Sequence, residues 1–131
     1  MSENVFHIPY SRPWIKPRDL VAVNTVLRGG QVSQGAVTRK FEKELSRAVG
    51  AEEGGGIGVS SGTSAILLAL WALNIGSGDE VLIPSYICQE VIEAVITCGA
   101  RPIFCDTSSQ WVVTIENVRS HIRKNTRAII V

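Results

Sequence analysis

Glycine and hydroxyl residues cluster where a short β-type run meets an apolar helical run. Residues 60–64 read Ser-Ser-Gly-Thr-Ser, with Ile57 and Val59 before them and a run of alanine and leucine after them. This pattern predicts a strand, a tight turn and a helix whose first N–H groups have no intrahelical partner. Such a helix start favours an anion, above all a phosphate. Gly62 lets the backbone approach closely, and Ser61, Thr63 and Ser64 add hydroxyl donors. The residues therefore indicate an α/β enzyme fold that holds a phosphorylated cofactor at this turn.

Helical and strand-like segments alternate on both sides of that turn. Apolar spacing, prolines and glycines predict helices near residues 17–28, 36–49, 63–74, 89–97 and 115–124, and strands near residues 57–60, 81–83, 102–105 and 128–131. Strands alternating with helices predict βαβ units with a mainly parallel sheet. The strands are unbroken apolar runs, which is typical of strands covered on both faces. We therefore expect a three-layer α/β/α fold.

Composition excludes several classes of partner. The chain has 131 residues, 45% of them apolar, with 13 basic and 12 acidic side chains. Its length suits one domain, and its near-neutral charge argues against nucleic acid or an anionic membrane as a partner. The longest apolar run, residues 65–73, is too short to cross a bilayer. Residues 1–5 lack the features of a secretory leader, so we expect a cytoplasmic protein.

Cysteine and histidine residues indicate neither a disulfide framework nor a metal site. Cys88, Cys98 and Cys105 are odd in number, and their gaps of ten and seven residues match no zinc pattern. They are expected to be reduced and mostly buried thiols. His7 and His121 have no ligand partner nearby in sequence. No metal is therefore expected.

Short motifs recur in a fixed order along most of the chain. They are Ile8-Pro9-Tyr10, Val26-Leu27-Arg28-Gly29-Gly30, Gly35 followed by Phe41-Glu42, Ser61-Gly62-Thr63-Ser64-Ala65, Gly76-Ser77-Gly78-Asp79-Glu80-Val81, Ile83-Pro84-Ser85-Tyr86, Gly99-Ala100-Arg101-Pro102-Ile103-Phe104-Cys105-Asp106 and Thr126-Arg127-Ala128-Ile129-Ile130. In this order and spacing the chain resembles the DegT/DnrJ/EryC1/StrS aminotransferases. These enzymes act on nucleotide sugars with pyridoxal phosphate (PLP).

The resemblance implies part of a fold-type-I PLP enzyme. Residues 1–131 would form a single incomplete domain, in which residues 1–16 are an extended arm and residues 17–131 are the first part of the large domain. In the family the backbone of a Gly-Thr pair holds the cofactor phosphate, which here implies Gly62 and Thr63, with Ser61 beside them. The family places an aromatic residue on the PLP ring where this sequence has Cys88. A thiol packs on a ring but supplies no π-stack. Tyr86 or Gln89 is a candidate to compensate.

Transamination also requires a lysine that forms a Schiff base with PLP and an acid that pairs with the pyridine nitrogen. In the family both follow the point that matches Val131. The lysines of this chain, Lys16, Lys40, Lys43 and Lys124, lie in polar contexts that keep an amine protonated. We therefore expect an N-terminal fragment that is inactive alone. Asp106 is the best remaining carboxylate, as a ligand-edge or turn-capping residue.

These residues leave three hypotheses for the function. The resemblance implies that the parent protein transfers an amino group from an amino donor to a nucleotide-linked keto sugar, in cell-surface polysaccharide or related sugar biosynthesis, as a homodimer. A second reading, which Cys88 favours, is a degenerate module that binds or assembles without catalysis. A third is a sugar dehydratase of the same fold, in which a histidine outside this chain replaces the lysine.

Overall fold

The computed structural model describes residues 9–51 and 55–131, and the chain divides after Gly58 into two compact units. The first unit contains helices α1 (Pro17–Arg28) and α2 (Ala36–Ala48). Pro17 starts α1, where its missing N–H costs no hydrogen bond, and the Asp19 carboxylate accepts the N–H of Lys16 at 2.8 Å. Gly30 follows α1 with φ 71°, a conformation that glycine adopts without strain. Both predicted helices of this region are confirmed.

The predicted strand near residues 57–60 is wrong for the described residues. This segment is extended but pairs with no strand, and Ile57 remains 70% exposed. A strand needs a neighbour to bond its backbone groups, and here a side chain of α2 substitutes for one. The Glu42 carboxylate accepts the N–H of Gly58 at 2.8 Å. A Cβ at Gly56 would lie 2.9 Å from the Glu42 carbonyl oxygen, so only glycine lets the segment pass this close to α2.

The second unit contains a three-stranded parallel sheet. Strands β1 (Glu80–Pro84), β2 (Arg101–Cys105) and β3 (Thr126–Ile129) lie in the order β2-β1-β3. The central strand β1 is buried along its whole length, as expected for a parallel strand covered on both faces. Its register pairs Glu80 with Arg101 on one side and with Thr126 on the other.

Helices cover both faces of the sheet. Helices α3 (Gly62–Ala72) and α4 (Gln89–Thr97) pack against each other on one face, and α5 (Ile115–Arg119) contributes to the other. The first core joins α3, β1 and α4 through Leu70, Ile75, Val81, Ile83, Val95 and Ala100. The second joins Leu82, Cys105 and Val118. Because side chains alternate along β1, its residues divide between the two cores. The expected three-layer α/β/α fold is confirmed.

The last helix differs from its predicted length. α5 spans five residues and begins after Thr114, whose N–H and hydroxyl both bond the Asn117 side chain at 3.0 and 2.8 Å. The backbone turns after Ser120, and β3 starts at Thr126, so the predicted helix to residue 124 is too long. Residues 9–16 form neither helix nor strand, and residues 1–8 of the predicted arm lie outside the described residues. The division into an arm and one incomplete domain stays a prediction.

None of the helices within residues 9–51 and 55–131 has the length and apolar character that a membrane span requires. In the same part of the chain, no group of three His, Cys, Asp or Glu residues is arranged to hold a metal ion.

Candidate functional site

The first turn of α3 presents unbonded amides beside a group of hydroxyls. Ser61 is the N-cap, and its Oγ accepts the N–H of Ser64 at 3.1 Å. That bond uses one of the free donors of the helix start, whereas the N–H groups of Gly62 and Thr63 have no acceptor among the described residues. The Ser64 hydroxyl lies 3.0 Å from Oγ of Ser61 and 3.3 Å from Oγ of Ser60. This end of α3 therefore offers two amide donors and a connected set of hydroxyls.

The backbone around Gly62 is uncrowded. A Cβ placed on Gly62 would meet no atom within 4 Å, and Ser61 and Gly62 are exposed. Helix α3 carries no acidic residue in its first turn, so nothing on the helix itself opposes an anion there. The predicted residues Ser61, Gly62 and Thr63 thus lie together, and their donors, open volume and helix dipole suit a phosphate group.

Connectivity places this turn at the carboxyl edge of the sheet. α3 packs on the sheet through Leu70 and leads, after a short connection, into the amino end of β1, so the helix runs antiparallel to the strand. Eleven residues of helix and five of strand are each roughly 16 Å long. The N-terminus of α3 therefore lies level with the carboxyl end of β1. This edge is where ligands bind in open parallel α/β sheets.

Cys88 lies at the same edge of the sheet. It is the N-cap of α4, directly after the loop that leaves β1, and it is exposed. Its side chain makes no cap hydrogen bond. Because α3 and α4 both run antiparallel to the strands, their N-termini lie at one end of the unit. The four residues predicted to touch the cofactor, Ser61, Gly62, Thr63 and Cys88, are therefore gathered at that end.

Two exposed aromatic side chains meet at this edge, in an arrangement that the sequence patterns did not predict. Tyr86 follows β1 and Trp111 follows β2, and their ring centroids are 5.0 Å apart at an interplanar angle of 57°. They are 69% and 68% exposed. Trp111 has φ 63°, a left-handed conformation that costs a non-glycine residue about 1–3 kcal/mol. The signal available in sequence was the position of both rings after successive strands.

Asp106 and Cys105 end β2 at this edge. Asp106 is exposed, directly after the strand, as its position in the sequence predicted. Cys105 is buried, and its burial raises the pKa of its thiol above the ordinary 9.0. The nearby negative charge of Asp106 raises this pKa to a smaller extent. Cys105 therefore stays a protonated core residue rather than a nucleophile.

The opposite, amino edge holds an ion pair between a buried carboxylate and an exposed guanidinium, which the sequence patterns did not predict. Glu80 is 2% exposed, and its Oε1 accepts a hydrogen bond from Arg101. Its Oε2 is buried without a hydrogen-bond partner among the described residues. The two residues are register partners that start β1 and β2. A carboxylate and a guanidinium at the first positions of two consecutive strands were the available signal.

The four lysines lie on elements other than the first turn of α3. Lys124 precedes β3 and so lies toward the amino edge. In the first unit, the Lys16 ammonium lies 4.0 Å above the Trp14 ring, and Lys40 pairs with Glu44 at 3.8 Å across one helical turn. Lys43 is an exposed residue of α2.

The fold is that of a segment of a PLP-type transferase domain, and comparison with known proteins specifies the family. Residues 13–131 match the DegT/DnrJ/EryC1/StrS aminotransferase family. The chain belongs to this family.

Several solved structures share the fold. The aminotransferase TlmJ from Streptoalloteichus hindustanus is 29% identical with a TM-score of 0.85, over 94% of this chain and 34% of its own. The sugar aminotransferase Spr1654 from Streptococcus pneumoniae, solved in a PLP form, is 26% identical with a TM-score of 0.84, over 95% and 31%. An aminotransferase from Psychrobacter cryohalolentis is 31% identical with a TM-score of 0.83, over 92% and 31%. The chain therefore spans about a third of the length of these relatives.

Proposed function

We propose that the protein to which this chain corresponds is a PLP-dependent aminotransferase that acts on a nucleotide-linked keto sugar. The observation that carries the proposal is the uncrowded first turn of α3, where the Gly62 and Thr63 amides have no acceptor among the described residues. Family membership and the PLP form of the Streptococcus pneumoniae relative support PLP as the phosphate-bearing group. The product would serve cell-surface polysaccharide or related sugar biosynthesis.

Each residue of the turn has a distinct part in holding the phosphate. The N–H groups of Gly62 and Thr63 would donate to its oxygens, and the helix dipole would favour its charge. Ser61 fixes the turn by capping α3, and its hydroxyl, which lies 3.0 Å from the Ser64 hydroxyl, can donate its proton either to Ser64 or to a phosphate oxygen. Cys88 would cover one face of the cofactor ring, and its sulfur would pack there without stacking. When bound, PLP supplies an electron sink for transamination.

We propose that the 131-residue chain does not catalyse turnover by itself. The reaction requires a deprotonated amine that bonds to the cofactor. The Lys16 ammonium contacts the Trp14 ring, and Lys40 forms an ion pair with Glu44. Lys124 lies toward the amino edge of the sheet. The amine would then come from a part of the protein beyond these residues.

A proline substitution tests the phosphate role of α3. Gly62→Pro removes one amide donor while keeping the helix, because proline suits the first helical position and Ser61 already has the extended backbone that precedes proline (φ −158°, ψ 164°). Binding of pyridoxamine phosphate, which has no aldehyde to react with lysines, is followed by NMR at the Gly62 and Thr63 amides. We expect these amides to shift in the unmodified chain, and the substitution to weaken binding roughly tenfold or more.

The matched control is Ala36→Pro, at the first position of α2, which also follows an extended residue. It should leave the binding unchanged. Pyridoxamine without the phosphate should cause no shift at Gly62 or Thr63. If the phosphate compound leaves both amides unmoved at millimolar concentration, the α3 turn is not the phosphate site.

Turnover is tested by adding PLP and an amino donor to this chain and to the full-length protein. We expect a new visible absorption band and amino transfer to a nucleotide-linked keto sugar only with the full-length protein. Turnover by the 131-residue chain would contradict the proposal.

Cys88 supports a second candidate, a non-catalytic binding or assembly module of the same fold. An exposed thiol replaces the family's aromatic ring, so ring stacking is lost at this position. A full-length protein that binds PLP but transfers no amino group would favour this candidate. A full-length protein that instead removes water from the sugar would identify the third possibility, a dehydratase.

The proposed partners are small molecules and a second copy of the protein. The family implies a nucleotide sugar and an amino donor, and we propose a homo-oligomer in the cytoplasm. The near balance of 13 basic and 12 acidic residues supports the exclusion of nucleic acid.

A further inference from the structure

The side chains of the aromatic pair Tyr86–Trp111 are exposed and do not belong to either hydrophobic core of the described residues. Both rings keep about two thirds of their surface exposed, although they touch each other. Trp111 accepts a left-handed backbone that bulky residues rarely adopt. Burial among the described residues therefore does not explain why the largest side chain stands at this strained position. A ligand that covers the rings does explain it.

Backbone hydrogen bonds hold the two loops in place before any ligand arrives. The N–H of Ser85 donates to the Cys105 carbonyl at 2.8 Å, which joins the bases of the two loops. Ser108 donates to the Val112 carbonyl at 2.8 Å, and Trp111 donates back to the Ser108 carbonyl at 3.0 Å. The pair is therefore a preorganised surface, which lowers the entropic cost of binding.

The chemistry of the loops selects a neutral, hydroxyl-rich ligand. Residues 85–88 and 106–113 contain no lysine or arginine, and their single formal charge is Asp106. They also contain threonine, serine and glutamine at positions 107–110. A carboxylate and these polar groups bond to hydroxyls, whereas aromatic faces pack on C–H surfaces. A phosphate would find only a negative charge here.

We propose that Tyr86 and Trp111, together with Asp106, form the subsite for the pyranose ring of the substrate. The pair lies at the same carboxyl edge as the α3 turn, so the sugar would lie beside the cofactor that the turn holds. This inference rests on the proposed function, since it assigns residues to the sugar of that reaction. It goes further by naming which side chains contact the sugar ring.

The test uses the indole N–H signals of the 131-residue chain, which has three tryptophans, Trp14, Trp71 and Trp111. The probe is methyl β-glucopyranoside, a neutral pyranoside, added up to high millimolar concentration in an NMR titration. We expect the Trp111 signal to shift and saturate, while Trp14 and Trp71 stay unmoved. Tyr86→Ala should weaken this binding roughly threefold to tenfold. The control is Tyr10→Ala, the other tyrosine, which should change nothing.

Two results would overturn the inference. One is a Trp111 shift no larger than those of Trp14 and Trp71, which would mean that the pair has no affinity for a pyranose. The other is tighter binding of uridine than of the glucoside at Trp111, which would assign the pair to a nucleobase. The pyridoxamine phosphate titration at Gly62 and Thr63 is independent of both. If those amides respond and Trp111 does not, the proposed function stands without this subsite.

Discussion

Trp111 has a backbone conformation that is unfavourable for its large side chain. Its φ of 63° favours glycine or asparagine, yet the position carries the bulkiest side chain of all. The ring recovers part of the cost through Tyr86, because aromatic pairs contribute about 0.5–1.5 kcal/mol. Among the described residues, burial does not offset the remaining cost, because the Trp111 side chain is 68% exposed. At this residue, the exposed aromatic surface is kept at a cost in folding stability.

Substitutions at Trp111 separate the backbone strain from the ring contact with Tyr86. Trp111→Asn should change the free energy of unfolding by less than about 1 kcal/mol, because backbone relief offsets the lost ring contact. Trp111→Val should lower it by about 1–2 kcal/mol, because a β-branched residue tolerates this conformation poorly. Chemical denaturation measures both. Equal stability of the two variants would show that the backbone is not strained.

The Glu80–Arg101 pair should stabilise the amino edge of the sheet. Arg101→Ala leaves a carboxylate that is 2% exposed with neither oxygen paired, so we expect a loss of about 1–3 kcal/mol. The value should fall toward the lower end because the arginine itself is exposed to solvent. Thermal or urea unfolding measures the loss. Arg119→Ala, at an exposed position of α5, is the control and should cost less than about 0.5 kcal/mol.

Cys105 should make the fold sensitive to alkali. Its folded pKa is raised by burial above the ordinary 9.0, so above that pH the unfolded chain loses a proton that the folded chain keeps. Its contribution to stability is complete below the unfolded pKa and is lost as the pH rises through the folded pKa. The free energy of unfolding, measured on both sides of pH 9.0, should fall less steeply in Cys105→Ala than in the unmodified chain. The exposed Cys88→Ala should keep the steep fall; an equal slope in all three proteins would refute the assignment.

At the scale of elements, the two helices of the candidate site begin differently. α3 has a side-chain cap from Ser61, whereas the N-cap of α4, Cys88, bonds to no amide. Cys88→Ser supplies a hydroxyl at a position with extended backbone, so it should stabilise the fold by about 0.5–1 kcal/mol. Ser61→Ala should cost about 1 kcal/mol. Melting temperatures measure both, and a Cys88→Ser variant that melts lower than the parent would contradict the capping argument.

The elements that sequence predicts best are those whose pattern is set locally. The amphipathic helices α1 and α2 and the unbroken apolar strand β1 follow from periodicity and from glycine and proline stops. The strand expected at residues 57–60 fails because strand formation needs a partner, which local pattern does not reveal. α5 ends early because a turn after Ser120 overrides the helical spacing that continues to Ile122.

In the candidate site, too, the sequence predicts the features that are set locally and misses those that depend on strand pairing. The α3 turn was predictable because a strand-like run, a glycine and hydroxyls stand next to one another in sequence. The contact between Tyr86 and Trp111 was not, because it joins two loops through the pairing of β1 with β2. The Glu80–Arg101 pair was hidden for the same reason, since only the register brings the two residues together.

At the scale of the whole molecule, apolar surface remains open on both helices and strands. Trp71 and Leu73 on and after α3, Phe104 on β2 and Ile129 on β3 are 45–60% exposed. Scattered exposed apolar residues are ordinary, but several on consecutive elements favour association. We expect the isolated chain to self-associate, so light scattering should give a mass above 14.2 kDa. Trp71→Arg should shift the mass downward, and a monomer at high concentration in the unmodified chain would contradict the expectation.

The first turn of α3 has an electrostatic consequence. It contains no acidic residue, whereas Glu90 in the first turn of α4 offsets the positive end of that helix. A chain with a net charge of only +1 therefore carries a local positive field at the α3 end of this edge that its overall charge does not show. Such a field draws phosphorylated solutes toward that edge from solution and is screened beyond about 10 Å at moderate salt. Capture of a phosphorylated ligand would then be quickest in dilute buffer and slow as salt is added, whereas a neutral sugar would arrive at the same rate in both.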